Sequence, residues 1–132
     1  MKAINAKRVK SINLGSLVKV ADNSGAKIAR IVSVKRGKTT KRRQVACGIA
    51  DMVKISVRKG LPEMKGQIFD AIVVRQKKQY RRLTGERIGF ADNAVALLKD
   101  EKNPKGTTIK GPVAREVAER WPAVAKIATI VV

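Results

Sequence analysis

The chain has 132 residues, of which 30 are Lys or Arg and 10 are Asp or Glu, a formal net charge of +20. Its 44% hydrophobic content excludes a disordered polyelectrolyte and is enough for one domain with a real core. The absence of His and the presence of one Cys exclude the usual general base, a zinc finger's ligand set and an internal disulfide.

Residues 1–14 read as a basic arm carrying Lys2, Lys7, Arg8 and Lys10. Leu17, Val18 and Val20 then lead into Asp22-Asn23-Ser24-Gly25, and Ile28, Ile31, Val32 and Val34 resume a β-branched run. That pattern predicts a hairpin, because Asn and Gly tolerate the left-handed backbone of a tight turn. From Val53 to Arg58 apolar and polar residues alternate. Val53, Ile55 and Val57 are set toward a core, and Lys54, Ser56 and Arg58 toward solvent or RNA. The stretch from Ile68 to Val74 reads as a strand buried on both faces at Ala71-Ile72-Val73-Val74. Thr84-Gly85 marks a turn, and Ala94 to Leu98 a fifth strand. Short strands between turn signals predict a small antiparallel barrel or sandwich.

The period changes in the last third. Gly111-Pro112 puts a Pro at an expected first helical position, and Val113, Val117 and Trp121 share one helical face. Pro122 interrupts and opens a second short helix to about Ile127. The apolar stripe reads first as a helix packed on the barrel and second as a partner-binding face, since Trp is enriched at interface hot spots.

The charge is uneven. Residues 1–84 hold 22 basic and 4 acidic residues, whereas residues 85–132 hold 8 and 6. So large an excess destabilises an isolated chain by self-repulsion and suits a polyanion, with nucleic acid ahead of an anionic membrane or heparin-like polymer. Two clusters concentrate it: Lys35, Arg36, Lys38, Lys41, Arg42 and Arg43, then Arg75, Lys77, Lys78, Arg81 and Arg82 around Tyr80. Cations at that density repel one another unless phosphates lie between them, and Arg forks fit phosphate oxygens. Phe69, Tyr80, Phe90 and Trp121 are the only aromatics, too few for a base-stacking platform, so binding by RNA backbone and shape is expected.

Catalysis has little support. Cys47 lies in an apolar context and reads as a buried hydrophobe, while Asp22, Asp51, Asp70 and Asp92 adjoin turns or strand ends, as backbone-capping carboxylates do. No cofactor and no metal-ligand set is expected. No run of 18 apolar residues occurs, and the start MKAINAKRVK has no apolar stretch after its basic residues. The expectation is therefore a cytosolic protein with no membrane partner.

Ala21-Asp22-Asn23-Ser24-Gly25-Ala26-Lys27, Ala71-Ile72-Val73-Val74-Arg75, Gly89-Phe90-Ala91-Asp92-Asn93-Ala94 and Gly111-Pro112-Val113-Ala114-Arg115-Glu116 occur in that order. Through them the chain, from about Gly15 to Ala128, resembles the universal large-subunit ribosomal protein fourteen family. Gln76 to Arg82 and Glu119-Arg120-Trp121-Pro122 resemble its archaeal and eukaryotic branch. The resemblance implies a mainly β fold: a closed five-stranded antiparallel β-barrel over residues 15–110, a projecting β-ribbon at about 35–46 and two short α-helices within 111–128. It further implies a ribosomal constituent bound to large-subunit rRNA, with small-subunit rRNA met at intersubunit bridges. Neighbouring large-subunit proteins, and an anti-association initiation factor at the C-terminal region, complete the expected partners. The rRNA-contact candidates are the two clusters with Tyr80 and Arg58, and the protein-contact candidates are Arg115, Glu119 and Trp121. A free-standing RNA chaperone, or an architectural nucleic-acid-binding protein, is the alternative that would share the charge.

Overall fold

In the computed structural model, which describes residues 2–132, the alternating and β-branched runs form strands and the last third forms two helices. In chain order the elements are β1 (Ala6–Lys7), β2 (Ile12–Asn13), β3 (Leu17–Val20), β4 (Ala26–Val34), β5 (Ala46–Cys47), β6 (Met52–Gly60) and β7 (Ile68–Arg75). They continue with β8 (Tyr80–Arg82), β9 (Arg87–Ile88), β10 (Ala94–Leu97), β11 (Ile109–Val113), α1 (Arg115–Arg120), α2 (Pro122–Ile127) and β12 (Ala128–Val131).

Five strands close into a barrel in the order β10-β3-β4-β6-β7. The β3–β4 hairpin turns where Asp-Asn-Ser-Gly predicts it. Gly25 sits at φ +103°, a backbone angle that favours glycine, and a Cβ there would press on the Leu61 side chain, 2.6 Å from its Cδ1. Asp22 secures the turn by accepting the Ser24 N–H at 3.1 Å, and reaches across to accept the Leu97 N–H of β10 at 2.7 Å. One expectation needs correction: the barrel is not wholly antiparallel. Four seams are, but β10 meets β3 in parallel, with Ala94 opposite Lys19 and Val95 opposite Val20. Five strands is an odd number, so a closed ring of them cannot alternate direction throughout.

Val53, Ile55 and Val57 point into the barrel with Val18, Ile31, Val73 and Leu97, while Lys54 and Arg58 point out. The period-2 reading of β6 holds residue by residue. β7 is buried on both faces because a second apolar layer covers part of the barrel's outside. Ile72, Val74, Ala94 and Ala96 look outward into Ile109, Val113, Val117 and Val124. Each aliphatic side chain buried in either layer contributes about 1.5–3 kcal/mol. The apolar stripe therefore packs on the barrel, and Trp121, half-buried between the helices, donates its indole N–H to the Ala50 carbonyl at 2.9 Å.

Three segments depart from the sequence reading. The basic N-terminal segment is stitched down: β1 pairs with β8, β2 pairs with β5, and the fully buried Gln76 donates from Nε2 to the Val9 carbonyl at 2.7 Å. Residues 35–45 carry no paired strands, since the β4–β6 ladder ends at Val34 opposite Val53, and the segment is a loop rather than a ribbon. Arg36, Lys41 and Arg42 there take left-handed backbone angles, which break an extended ladder. Finally, α1 begins at Arg115 and not at Pro112. Gly111 sits at φ +80° with the Arg75 guanidinium against it, and β11 is held by its parallel partner β12, a strand that lies beyond both helices. The second helix runs from Pro122 to Ile127, as Pro at its first position predicts.

Candidate nucleic-acid interface

The second apolar layer covers one side of the barrel and leaves β3, β4 and β6 bare. Their outward, exposed positions carry Lys19, Arg30, Lys54 and Arg58 beside Leu17 and Val32. Leu17 faces Arg30 across one ladder and Arg30 faces Ser56 across the next, so the cations lie on one continuous sheet. No carboxylate occurs anywhere in these three strands. Of the four acids in the first 84 residues, three are engaged within the fold: Asp22 caps the hairpin, Asp51 binds Arg8 and the Gly48 N–H, and Asp70 holds Lys35 at 2.9 Å, while Glu63 is exposed in the turn after β6. The engaged carboxylates stabilise the fold while the exposed face keeps its positive charge.

Both basic clusters emerge from one end of the barrel, where β4 ends at Val34 and β7 leaves Ile72 opposite Met52. In the first, Arg36, Lys38, Lys41, Arg42 and Arg43 are exposed and have no ion-pair partner among the described residues; Lys35 is half-buried on Asp70. The second cluster is divided. Lys77, Lys78 and Arg81 are exposed. Arg75, Tyr80 and Arg82, expected at the RNA, are instead internal.

Arg75 is 8% exposed; its Nε donates to Asp92 Oδ1 at 2.8 Å and its Nη1 to the carbonyls of Lys110 and Pro112, which clips β7 to β11. Tyr80 and Arg82 share the inward face of β8, and Arg81 between them points out. Both reach Glu116 of α1: the Tyr80 hydroxyl donates at 2.7 Å, and Arg82 Nε donates at 2.7 Å. Arg82 Nη2 also donates to the Val132 carbonyl at 2.6 Å, tying the last strand to the same centre. Burial pushes the Glu116 carboxyl upward, but the hydrogen bonds from Arg82 and Tyr80 prevail and hold it below its usual range. Burial and the Glu116 contact raise the Tyr80 phenol well above its ordinary value. Their saturated bonds make these three side chains internal ties, and only alternation along β8 signals that in the sequence. Cys47 is fully buried, and burial pushes its thiol up to about 12, so it behaves as an inert hydrophobe.

On the covered side, Arg115 and Glu119 are exposed along α1, and Ile130, Val131 and Val132 are exposed beside them on and after β12. Trp121, the third expected protein-contact residue, is committed inward through its N–H.

The family model for ribosomal protein L14p/L23e covers residues 11–132. The chain belongs to that family. Among L14p/L23e relatives, the large ribosomal subunit protein uL14 of Nanoarchaeum equitans is 58% identical over the full length of both chains. Its counterpart in Methanothrix thermoacetophila is 51% identical over the full length of both, and that of Methanococcus maripaludis 47% over 99% of each. Lys19, Arg30 and Lys54 were not singled out as contact candidates in the sequence. The alternation in β6 pointed to Lys54, but nothing local marked Lys19 and Arg30 as its neighbours. Only the β3–β4–β6 ladders bring the three together.

Proposed function

We propose that the protein is a non-catalytic structural constituent of the large ribosomal subunit in the cytoplasm, holding rRNA through phosphate-backbone contacts. The observation that carries this reading is the wall of Lys19, Arg30, Lys54 and Arg58, whose strands hold no carboxylate and where, among the described residues, Lys19 alone has an ion-pair partner, Asp92 at 3.5 Å; it is continuous with strands whose loop carries Arg36, Lys38, Lys41, Arg42 and Arg43. Lys77, Lys78 and Arg81 extend the contact set, and Lys35 supports it from its ion pair with Asp70. Family membership supports the ribosomal assignment. Lys and Arg on a rigid sheet bind a folded RNA by matching its phosphate spacing, with no need for stacked bases.

The opposite surface, with Arg115, Glu119 and the exposed Ile130 to Val132, is of the mixed polar and apolar kind that suits protein. There we place neighbouring large-subunit proteins and the anti-association initiation factor, with intersubunit bridges to small-subunit rRNA made at the exposed rim. Sucrose-gradient sedimentation of a tagged chain tests the core of this reading. The expected result is one copy per large subunit, retained in the gradient. Recovery at the top of the gradient, away from subunits, would overturn it and favour a free-standing RNA chaperone.

A further inference from the structure

The loop end of the barrel contains a cleft of about 440 Å³ that the wall does not use. It lies between the N-terminal segment, the start of the basic loop, the turn at Glu101-Lys102 and the junction of α1 with α2. Arg8, Lys10, Lys35, Arg36, Lys102 and Arg120 line it, against the two carboxylates of Asp51 and Glu101. Asp51 is already engaged by Arg8 and by the Gly48 N–H. Arg120 is poorly satisfied. Its side chain is 18% exposed, its Nη1 lies 3.9 Å from Asp51, and its Nε is buried without an acceptor among the described residues. Burial, with Arg8 adding repulsion, lowers the affinity of Arg120 for its proton. A buried cation among cations is costly until an anion joins it.

The other lining is apolar. Trp121 and Met52 form part of it, and the Arg120 guanidinium lies 6.0 Å from the centre of the indole ring. Because the indole N–H is spent on Ala50, only ring surface is offered to the cleft. A guanidinium lacking an anion and an aromatic ring, in a space of small-ligand size, are the two features that a phosphate and a base require.

We propose that this cleft seats one unstacked nucleotide of single-stranded RNA, its phosphate on Arg120 and Arg36 and its base against Trp121. The inference rests on the rRNA-binding reading and names a site that the cationic wall does not provide. An acidic protein segment would use the guanidinium but leave the ring without a stacking partner.

Trp121 is the one Trp of the chain, so its fluorescence reports on the cleft directly. Titrating the full-length protein with single-stranded hexaadenylate should quench the emission saturably. Arg120→Ala should raise the midpoint by about tenfold, the loss of one charge-assisted contact. Arg36→Ala, on an exposed loop position that does not build the core, should do the same if Arg120→Ala fails to fold. Lys54→Ala with Arg58→Ala, on the distant wall, should shift that midpoint by no more than about twofold, the nonspecific effect of two charges. Duplex RNA binding, measured by filter retention, is the control. Duplex binding with no quenching by hexaadenylate, or with quenching unchanged by Arg36→Ala, overturns the cleft inference and leaves the wall intact. Quenching by hexaglutamate as strong as by hexaadenylate also overturns it, in favour of a protein occupant. Absence of duplex binding would overturn the rRNA reading itself.

Discussion

Glu116 holds together three parts of the chain that are distant in sequence, because Arg82 and Tyr80 of β8 and, through Arg82, Val132 all meet at its carboxylate. Its side chain is 4% exposed and that of Arg82 is 7% exposed, so neither charge can fall back on water. Replacing Glu116 by Gln keeps the shape but strands the guanidinium, and should cost about 3–5 kcal/mol in denaturant unfolding. The pH dependence has a definite sign. Glu116 titrates lower in the folded protein than its ordinary value of 4.5, so its contribution is complete above that value and is lost as pH falls through the folded value. Acid unfolding of the wild type should therefore steepen below about pH 4.5, and the Gln variant should lack that component. An equal acid slope in both proteins would show that Glu116 is not the group responsible. The same residues show how far sequence alone reaches. Tyr80, Arg81 and Arg82 read as one basic cluster, and strand alternation divides it into two internal ties and one exposed cation.

At the scale of elements, the loop between β4 and β6 and the wall made by those strands separate stability from binding. Apart from Lys35, held by Asp70, the loop's cations have no ion-pair partner among the described residues, and Arg36, Lys41 and Arg42 hold left-handed backbone angles that Gly or Asn would adopt with less strain. Arg42→Ala with Arg43→Ala should therefore weaken RNA binding while moving the thermal midpoint by no more than about 2 °C, as exposed substitutions usually change stability by less than about 0.5 kcal/mol. A collapse of the fold would instead make the loop structural. Arg75→Ala should behave oppositely, destabilising the protein because Asp92 and two carbonyls lose their donor. The Val53 to Arg58 part of β6 was legible because alternation is a local signal. The ribbon was not, because an apolar-to-basic transition in sequence does not say whether the two limbs pair. The helix start was displaced by β12, a strand whose partner β11 precedes both helices.

For the whole molecule, the net charge of +20 is segregated by the fold as well as by position in sequence. Three of the four carboxylates in the first 84 residues, Asp22, Asp51 and Asp70, face inward or pair locally, and the bare side of the barrel keeps its cations. Affinity for rRNA should fall linearly with the logarithm of salt, at about 0.7–0.9 per phosphate neutralised, and removing Lys54 and Arg58 should reduce the slope by about 1.4–1.8. A slope near zero in filter-binding titrations would refute the electrostatic account.

Composition and pattern by themselves determined a β-rich fold, the expectation of a polyanionic partner, the hairpin at Asp22 to Gly25, the strand at Val53 to Arg58 and the second helix. Each of these rests on charge or on neighbours a few residues apart. Tertiary structure alone decided the parallel closing seam, the placement of Lys19, Arg30 and Lys54 on one sheet, the burial of Arg75, Tyr80 and Arg82, and the cleft at Arg120 and Trp121. Those depend on ladders and ion pairs that join residues tens of positions apart, where one charged side chain in sequence looks like any other until its partner is known.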